Sequence, residues 1–335
     1  MKTIVHTCSS VLLRPNGITR YINTVIDLQR SMGHRVLFVT DAKPTQTINT
    51  DETLYCNILS AYEPNWRDGH VWLQVEHQVA DDVREAFTKL DVEPDLVVAH
   101  DLHSYLGAVT EFRDGIFVQH ESDLMNADGR YSFLSDEYLA AQVDIANTTN
   151  WRIGMCAPYS HNVKPQRPVH TPSPFTPANY NNTEKTQGLL YVGDTTDRKG
   201  AREFMAMAQQ LGVTPTVITH ETDALLFAGA NVVSFGLDQR DAMFELMSQH
   251  RVAYLPSKNE CFSMAVLECL QFMPVVVDGQ YEWTEHVEAL GAVRPTGAEI
   301  LPTIDGLLKT TAPYDRQLLE LWSQRSNQLW INLST

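Results

Sequence analysis

Cysteine is scarce and scattered. The five thiols, Cys8, Cys56, Cys156, Cys261 and Cys269, form no C-x-x-C pair, and an odd count of isolated thiols suggests neither a disulfide framework nor a zinc knuckle. Thiols spaced like this fit a reducing compartment. No apolar run approaches the roughly 18 residues that a membrane span needs. The segment Met1–Ser10 is too polar for a signal-peptide core and reads as a first strand. These features predict a soluble, cytoplasmic protein. Lys and Arg are few, 25 against 41 Asp and Glu, and the net charge of −16 excludes a basic nucleic-acid module at the level of the whole chain. A local basic groove stays compatible with it. With 17 Gly, 16 Pro and 43% hydrophobic residues in 335, the chain is neither collagen-like, low-complexity nor disordered.

Several catalytic signatures are missing as well. Without G-x-G-x-x-G, a nicotinamide or flavin oxidoreductase loses its fingerprint. No G-x-x-x-x-G-K-[ST] marks a P-loop, and no G-x-S-x-G marks an α/β-hydrolase. D-x-D, an acidic clamp for a metal-bound nucleotide-sugar, does not occur either, so no metal ligands are assigned.

What is present is an alternation of short apolar runs with helix-length amphipathic segments, the pattern of α/β units on parallel sheets. The first half predicts strands at Thr3–Thr7, Arg35–Thr40, Asp95–His100 and Ile116–Gln119, with helices at Gly17–Met32, Gln78–Leu90 and Tyr105–Phe112. Five prolines then crowd into Pro165–Pro177, followed by the polar stretch Asn179–Gln187, and this reads as an interdomain connection. The pattern restarts with strands at Gly188–Val192, Thr214–Thr219, Asn231–Phe235, Val252–Leu255 and Val275–Val277. Helices are predicted at Ala201–Leu211, Asp241–Gln249 and Phe262–Gln271, and a last one at Asp315–Leu333 carries Leu318, Leu319, Trp322, Leu329 and Trp330. Two open α/β domains in series make the space between them the default ligand site.

The strongest chemical signal is Glu260-Cys-Phe-Ser-Met-Ala-Val-Leu-Glu268, which follows the loop Pro256-Ser257-Lys258-Asn259. One carboxylate lies at a helix start and the second about two turns on, roughly on the same face. The amides of Phe262, Ser263 and Met264 can receive phosphate oxygens at the helix N-terminus, and the carboxylate pair can hydrogen-bond sugar hydroxyls. The alternative is a Glu260 that merely caps the helix and a solvated Glu268. The strand, cationic turn and helix start Tyr191-Val192-Gly193-Asp194-Thr195-Thr196-Asp197-Arg198-Lys199-Gly200 suits a diphosphate, with a solvated Asp-Arg-Lys turn as its alternative. Asn16-Gly17-Ile18-Thr19-Arg20-Tyr21 opens a helix after the first strand, where glycine lets backbone approach a phosphate.

The stretch from Leu255 through Val277 resembles the E-x₇-E motif of retaining glycosyltransferases of the GT-B fold, and the Gly193–Gly200 loop, the Gly33-His34-Arg35-Val36 turn and Pro94–Asp101 are similar to the same family. Cys261 and Ser263 stand where the family has glycines, and Asp194 stands where it has arginine. The resemblance implies two Rossmann-like domains facing across a cleft, with the C-terminal helix crossing back. The acceptor domain would span 1–170, the nucleotide-sugar domain 188–312, and the returning helix 315–333. It further implies that Glu268 binds the nucleotide ribose and Glu260 faces the donor sugar. Lys199 and Arg198, the latter supplying the missing guanidinium, would neutralise the departing diphosphate, with Thr195 on the same loop. Backbone at Phe235, Gly236 and Leu237 would hold the nucleotide, Gly17 would approach the donor, and His120, ending the strand Ile116–Gln119, would lie near the reacting carbon. The implied donor is a UDP-sugar, hexose or pentose, with no further cofactor.

Within that family, Gly17-Ile18-Thr19-Arg20-Tyr21, Val118-Gln119-His120-Glu121 and the Thr195-Thr196-x-x-Lys199-Gly200 core most resemble bacteriophage DNA glycosyltransferases acting on hydroxymethylcytosine. That resemblance implies DNA modification in the host cytoplasm, with double-stranded DNA as partner. Arg14, Arg20, Arg67, Arg113, Arg130, Arg152, Lys164 and Arg167 could line a basic cleft for the duplex or be scattered surface charge. A glycan or lipid acceptor keeps every donor-site expectation. A nucleotide-sugar isomerase and a non-catalytic nucleotide-sugar binding protein are the alternatives of a different class.

Overall fold

A computed structural model of the chain describes residues 1–9, 17–40, 48, 50–55, 80–120, 136–155, 164–175, 177, 185–219, 225–236, 239–260, 262–310 and 314–335. Two compact units emerge: Met1–Phe175 together with Arg325–Thr335, and Thr176–Gln324.

The first unit is built on β1 (Thr3–Thr7), β2 (Arg35–Thr40), β3 (Glu52–Tyr55), β4 (Leu96–Ala99), β5 (Ile116–Gln119), β6 (Arg152–Met155) and β7 (Pro168–His170). Among the described residues these form one parallel sheet in the order β3-β2-β1-β4-β5-β6-β7. The helices α1 (Gly17–Ser31), α2 (80–88), α3 (Leu102–Val109) and α4 (Asp136–Thr148) accompany it. Strands covered on both faces must be apolar throughout, and β4 is buried at every residue. One face packs Val5, Val97, Ala99 and Phe117 into a core with Val83, Ala86 and Phe87 of α2 and Leu102, Tyr105 and Ala108 of α3. Tyr105 stacks on Phe117 at 4.7 Å and its hydroxyl donates to Thr149 Oγ1 at 2.7 Å, so its polar tip is satisfied inside that core. On α1, the stripe Tyr21, Ile22, Val25, Ile26 and Gln29 is buried, at the spacing of one helix face.

Two of the differences from the sequence reading have clear causes. Helix α3 starts at Leu102 rather than Tyr105, because the Asp101 carboxylate caps it by accepting from Ser104 N at 3.0 Å. Strands β3 and β6 and helix α4 were not anticipated. The proline-rich stretch is also more than a connection, since Pro168–His170 is the edge strand β7. Proline at the first residue of an edge strand forfeits no interior ladder bond, which is why the sheet tolerates it there. The neighbouring residues still pair, with Ile153 N donating to Arg167 O at 3.0 Å and Thr171 N to Met155 O at 2.9 Å.

The second unit carries β8 (Gln187–Val192), β9 (Thr216–Ile218), β10 (Asn231–Val233), β11 (His250–Leu255) and β12 (Val275–Val277). Among the described residues they form a parallel sheet in the order β10-β9-β8-β11-β12. Its helices are α5 (Ala201–Leu211), α6 (Arg240–Ser248), α7 (Met264–Cys269), α8 (Thr284–Glu288) and α9 (Ile300–Lys309), of which α8 and α9 were not anticipated. The chain builds outward from β8 to β10 and then crosses to β11 on the other side, so the switch point of the sheet lies between β8 and β11.

The last helix, α10 (Gln317–Ser334), starts in the second unit, and its final turns belong to the first. Trp330 anchors it there, fully buried, with Nε1 donating to Pro172 O at 2.8 Å and its ring edge-on to Tyr21 at 6.2 Å. Asn327 Nδ2 adds a bond to Phe175 O at 3.2 Å. No helix among the described residues is long and apolar enough to cross a membrane.

Candidate active site

In an open parallel sheet, ligands bind beyond the carboxyl ends of the strands at the switch point. In the second unit that place holds the loops after β8 and β11. The β8 loop is shaped from within. Tyr191 donates its hydroxyl to Asp194 O at 2.8 Å, beneath Gly193, where an added Cβ would lie 2.7 Å from that hydroxyl oxygen. Asp194 Oδ1 accepts from Thr196 N at 2.9 Å and from the Thr196 hydroxyl, an Asx turn that aims the next residues toward β11. A single 3-10 turn, Asp197–Lys199, closes at Gly200 with φ +71°.

The two loops are clasped together. Lys258 N donates to Arg198 O at 2.7 Å, and Lys258 Nζ bridges Asp197 Oδ2 at 2.8 Å and Glu203 Oε1 at 2.9 Å. Burial works against the charge on Lys258, but those two carboxylates outweigh it and hold the pKa above the ordinary lysine range. At Gly200, a Cβ would lie 2.4 Å from Pro256 O. Gly200→Ala combines a left-handed backbone with that collision, and a loss of about 2–3 kcal/mol is expected, read as a lower urea midpoint. An unchanged midpoint would show that the loops are not held at this contact.

Glu260 sits at the centre of the clasp. Lys199 Nζ binds its Oε1, and Arg198 Nη1 lies 3.5 Å from its Oε2 while donating to Asn259 O at 2.9 Å. Burial alone would push the Glu260 carboxyl up. The Lys199 and Arg198 charges, with hydrogen bonds from Lys199 and Ser257, overcome it and hold the carboxyl below its ordinary range. Two cations, each partly buried, therefore converge on one buried carboxylate at the switch point, on a turn whose Asp197 is exposed.

Helix α7 is shorter than the predicted Phe262–Gln271. Ser263 is its N-cap, with non-helical φ −80° and ψ 102° and its Oγ accepting from Val266 N at 3.4 Å, so Phe262 and Ser263 stand before the helix and Met264 opens it. Phe262 is stacked between Trp322 of α10 and His286 of α8, each at 6.1 Å, which fixes the chain as it leaves Glu260. Glu268 is buried in the second turn of α7. Burial, reinforced by the Glu268 charge, pushes the neighbouring Cys269 thiol far up, which makes it a packing residue and not a nucleophile. Thr195 lies partly buried in the β8 loop. Phe235 and Gly236 follow β10, two strands away from β8 at the same sheet end, with Gly236 N donating to Gln239 Oε1 at 2.9 Å. Leu237 and Cys261 lie outside the described residues.

In the first unit the switch point lies between β1 and β4. His120 follows β5, partly exposed, with its ring edge-on to Tyr21 at 4.8 Å. Tyr21, one turn into α1, thus meets the residue at the end of β5, while Gly17 is exposed at the helix start. His120 Nε2 lies 3.1 Å from His100 Nδ1. Of the cations considered for a basic cleft, Arg20 is on that first turn of α1. Arg113, Arg152, Lys164 and Arg167 instead lie at the amino ends of β5, β6 and β7, the opposite end of the sheet from His120, and Arg167 is paired with Asp114 at 2.9 Å. Arg14, Arg67 and Arg130 lie outside the described residues, as do Asn16 and Glu121.

Sequence reasoning missed Lys258 and Gly200 as structural parts of the site. Lys258 was visible only as one lysine in a polar loop, and its two carboxylate partners come from another strand's loop and helix. Among the described residues, no group of three or more His, Cys, Asp and Glu is arranged to hold a metal ion.

Two parallel α/β units in series, closed by a helix that returns to the first, make the GT-B fold. No protein-family model matches the chain, and no curated protein matches it. Solved structures do. A sucrose-phosphate synthase from Thermosynechococcus elongatus matches with a TM-score of 0.73 at 14% identity, covering 99% of each chain. The Anabaena protein HepE, solved in complex with UDP-glucose, matches with 0.65 at 14% identity over 100% of this chain and 97% of its own. WaaG, a glycosyltransferase of lipopolysaccharide biosynthesis, matches with 0.65 at 13% identity over 99% and 98%. At such identities the likeness is one of fold.

Proposed function

We propose that the protein is a retaining glycosyltransferase that moves a sugar from a UDP-sugar to a hydroxyl of a glycan or lipid. The observation that carries this is the convergence of Lys199 and Arg198 on buried Glu260 at the β8–β11 switch point, a cationic cradle beside a carboxylate. A diphosphate leaving group needs fixed positive charge where its own charge grows, and preorganised donors of this kind are typically the largest catalytic term. Lys199 and Arg198 fill that role, helped by backbone at Phe262, Ser263 and Met264. Glu260 orients the sugar hydroxyls, Glu268 takes the ribose, and Thr195, Phe235, Gly236 and Leu237 complete the nucleotide side. Gly17 and His120 serve the sugar and the acceptor.

In a same-face transfer the bond from C1 to the diphosphate oxygen breaks, and the acceptor oxygen bonds to C1 from the same side. The acceptor's proton passes to the departing phosphate oxygen, giving UDP and a glycoside of retained configuration. No separate nucleophile or general base is required in such a transfer. The solved likeness to a UDP-glucose complex and to a lipopolysaccharide enzyme supports the donor and acceptor classes. A glycan or lipid is preferred to duplex DNA because the chain is acidic, at −16, and four of its candidate phosphate-binding cations stand at the sheet end away from His120.

The test is a donor-by-acceptor screen with UDP-sugars against oligosaccharide, lipid and hydroxymethylcytosine DNA, reading UDP release and product mass. Acceptor-dependent UDP release with a saccharide or lipid product is expected. Product on DNA alone would move the acceptor to the phage-type reading. Isomerisation without an acceptor, or donor binding without turnover, would replace the transferase reading.

A further inference from the structure

Three imidazoles run in single file through the first unit. His120 Nε2 lies 3.1 Å from His100 Nδ1, and His100 Nε2 lies 2.8 Å from His6 Nδ1. His6 Nε2 lies 2.7 Å from Gln29 Oε1, and Gln29 Nε2 donates to Ser334 Oγ at 3.1 Å. The rings lie nearly face to face, His6 on His100 at 5.1 Å and 12°, His100 on His120 at 5.4 Å and 26°. His6, His100 and Gln29 are fully buried, and Ser334 nearly so, while His120 at the file's end is partly exposed. Polar side chains in such a core are costly unless every member is bonded, and here each link is made.

The file has a direction. Burial drives the His6 pKa down to about 4, against a smaller upward pull from its bond to Gln29. Burial, and the neighbouring His6 and His120 rings, hold His100 well below its ordinary value. Both rings are therefore neutral at neutral pH, each with one N–H donor and one bare nitrogen. In a file of such rings every hydrogen bond must point the same way, so one end decides for all. Gln29 sets the direction in the orientation assigned to its amide, whose oxygen faces His6 at 2.7 Å while its nitrogen donates to Ser334 Oγ at 3.1 Å. His6 then carries its proton on Nε2 and accepts at Nδ1 from His100 Nε2. His100 in turn accepts at Nδ1 from His120 Nε2.

We propose that Gln29, acting through His6 and His100, fixes His120 as the Nε2–H tautomer, leaving His120 Nδ1 as a hydrogen-bond acceptor for a substrate hydroxyl. Gln29, His6 and His100 are positioning residues, and the inference rests on the reading of His120 as a glycosyl-transfer residue. A bare ring nitrogen accepts from an O–H of the sugar or acceptor and repels an anionic phosphate oxygen. A ligand group facing His120 Nδ1 is therefore expected to present an O–H and not a phosphate oxygen.

The test uses full-length protein labelled with [15N]histidine, with the His120 signals identified by their loss in His120→Asn. Long-range 1H–15N correlation is expected to show a single His120 form, protonated at Nε2. In Gln29→Leu both tautomers should appear and kcat for sugar transfer should fall about 10-fold with the donor KM little changed, the low end of what loss of an outer partner costs at a metal-bound histidine. Gln29→Glu, read at a pH where the carboxylate is ionised and so can only accept, should restore the single tautomer and most of kcat, whereas a merely structural role would favour neither variant. His100→Phe, which keeps a ring and removes both nitrogens, gives a second cut in the file should Gln29→Leu not fold. A mixed tautomer in the unaltered protein, or a His120 signal indifferent to both cuts, overturns the relay. If the unaltered protein transfers no sugar while the tautomer still follows Gln29, the transferase reading fails and the relay stands.

Discussion

Lys199→Ala is expected to lower kcat for sugar transfer by about 10²–10³-fold, the typical cost of removing one preorganised donor from a developing anion. Lys199 Nζ sits on Glu260 Oε1 and is only partly exposed, so its charge acts in surroundings where water screens it poorly. The variant also removes the largest attraction that offsets burial of the Glu260 carboxyl, leaving Arg198 at 3.5 Å as its remaining charged partner. The Glu260 pKa should then rise, and transfer by the variant should fall away at a higher pH than in the unaltered enzyme. Lys199→Arg, which keeps the charge with a different reach, should lose less. Steady-state kinetics with a UDP-sugar, alongside a thermal melt to confirm folding, decides the matter. Turnover by Lys199→Ala equal to that of the unaltered protein would remove Lys199 from the mechanism.

Acidification is expected to destabilise both units well before ordinary carboxylates titrate. Burial lowers His6 from 6.5 to about 4 in the first unit. In the second, burial, against its Nδ1 bond to Leu246 O at 2.8 Å, lowers His250 from 6.5 to about 4. Between those values the unfolded chain holds protons that the folded units refuse. Stability is therefore complete above about pH 6.5, falls as pH drops through the window, and levels off near pH 4. Each ring accounts for a loss on the order of 3 kcal/mol across it. His100 acts in the same direction. Below this window a second loss follows. Burial would raise Asp101, but the hydrogen bond and charge of His103 and the amides of Ser104 and Ser9 hold it low, and Glu260 is likewise held low. Both contribute stability that disappears only as they finally protonate. Urea midpoints at pH 7.5, 5.5 and 4.5 test this, and equal midpoints at the first and last pH would contradict it.

Much of the architecture was legible because it is local. Thr3–Thr7, Arg35–Thr40, Ile116–Gln119, Ala201–Leu211 and Val275–Val277 have the limits their patterns predict, since a buried parallel strand is an unbroken apolar run and α5 ends at a glycine with φ +66°. Strand β7 was hidden by Pro168 and the prolines around it, and α9 by Pro302 and Gly306 within it. The separate loops were legible too. Arg198 and Lys199, and Glu260 with Glu268, each stood out as chemistry at a helix start.

The amino-acid sequence by itself determined two α/β halves, a parallel arrangement and the chemical type of each loop, because periodicity and turn residues act over a few positions. Only the tertiary structure decided that Lys199 binds Glu260 across 61 residues, or that His6 meets His100 across 94 and His100 meets His120 across 20. Those meetings depend on which strands become neighbours. β8 lies beside β11, and β1 beside β4, because each crossover at a switch point carries the chain past strands already laid down, and no local pattern records that choice.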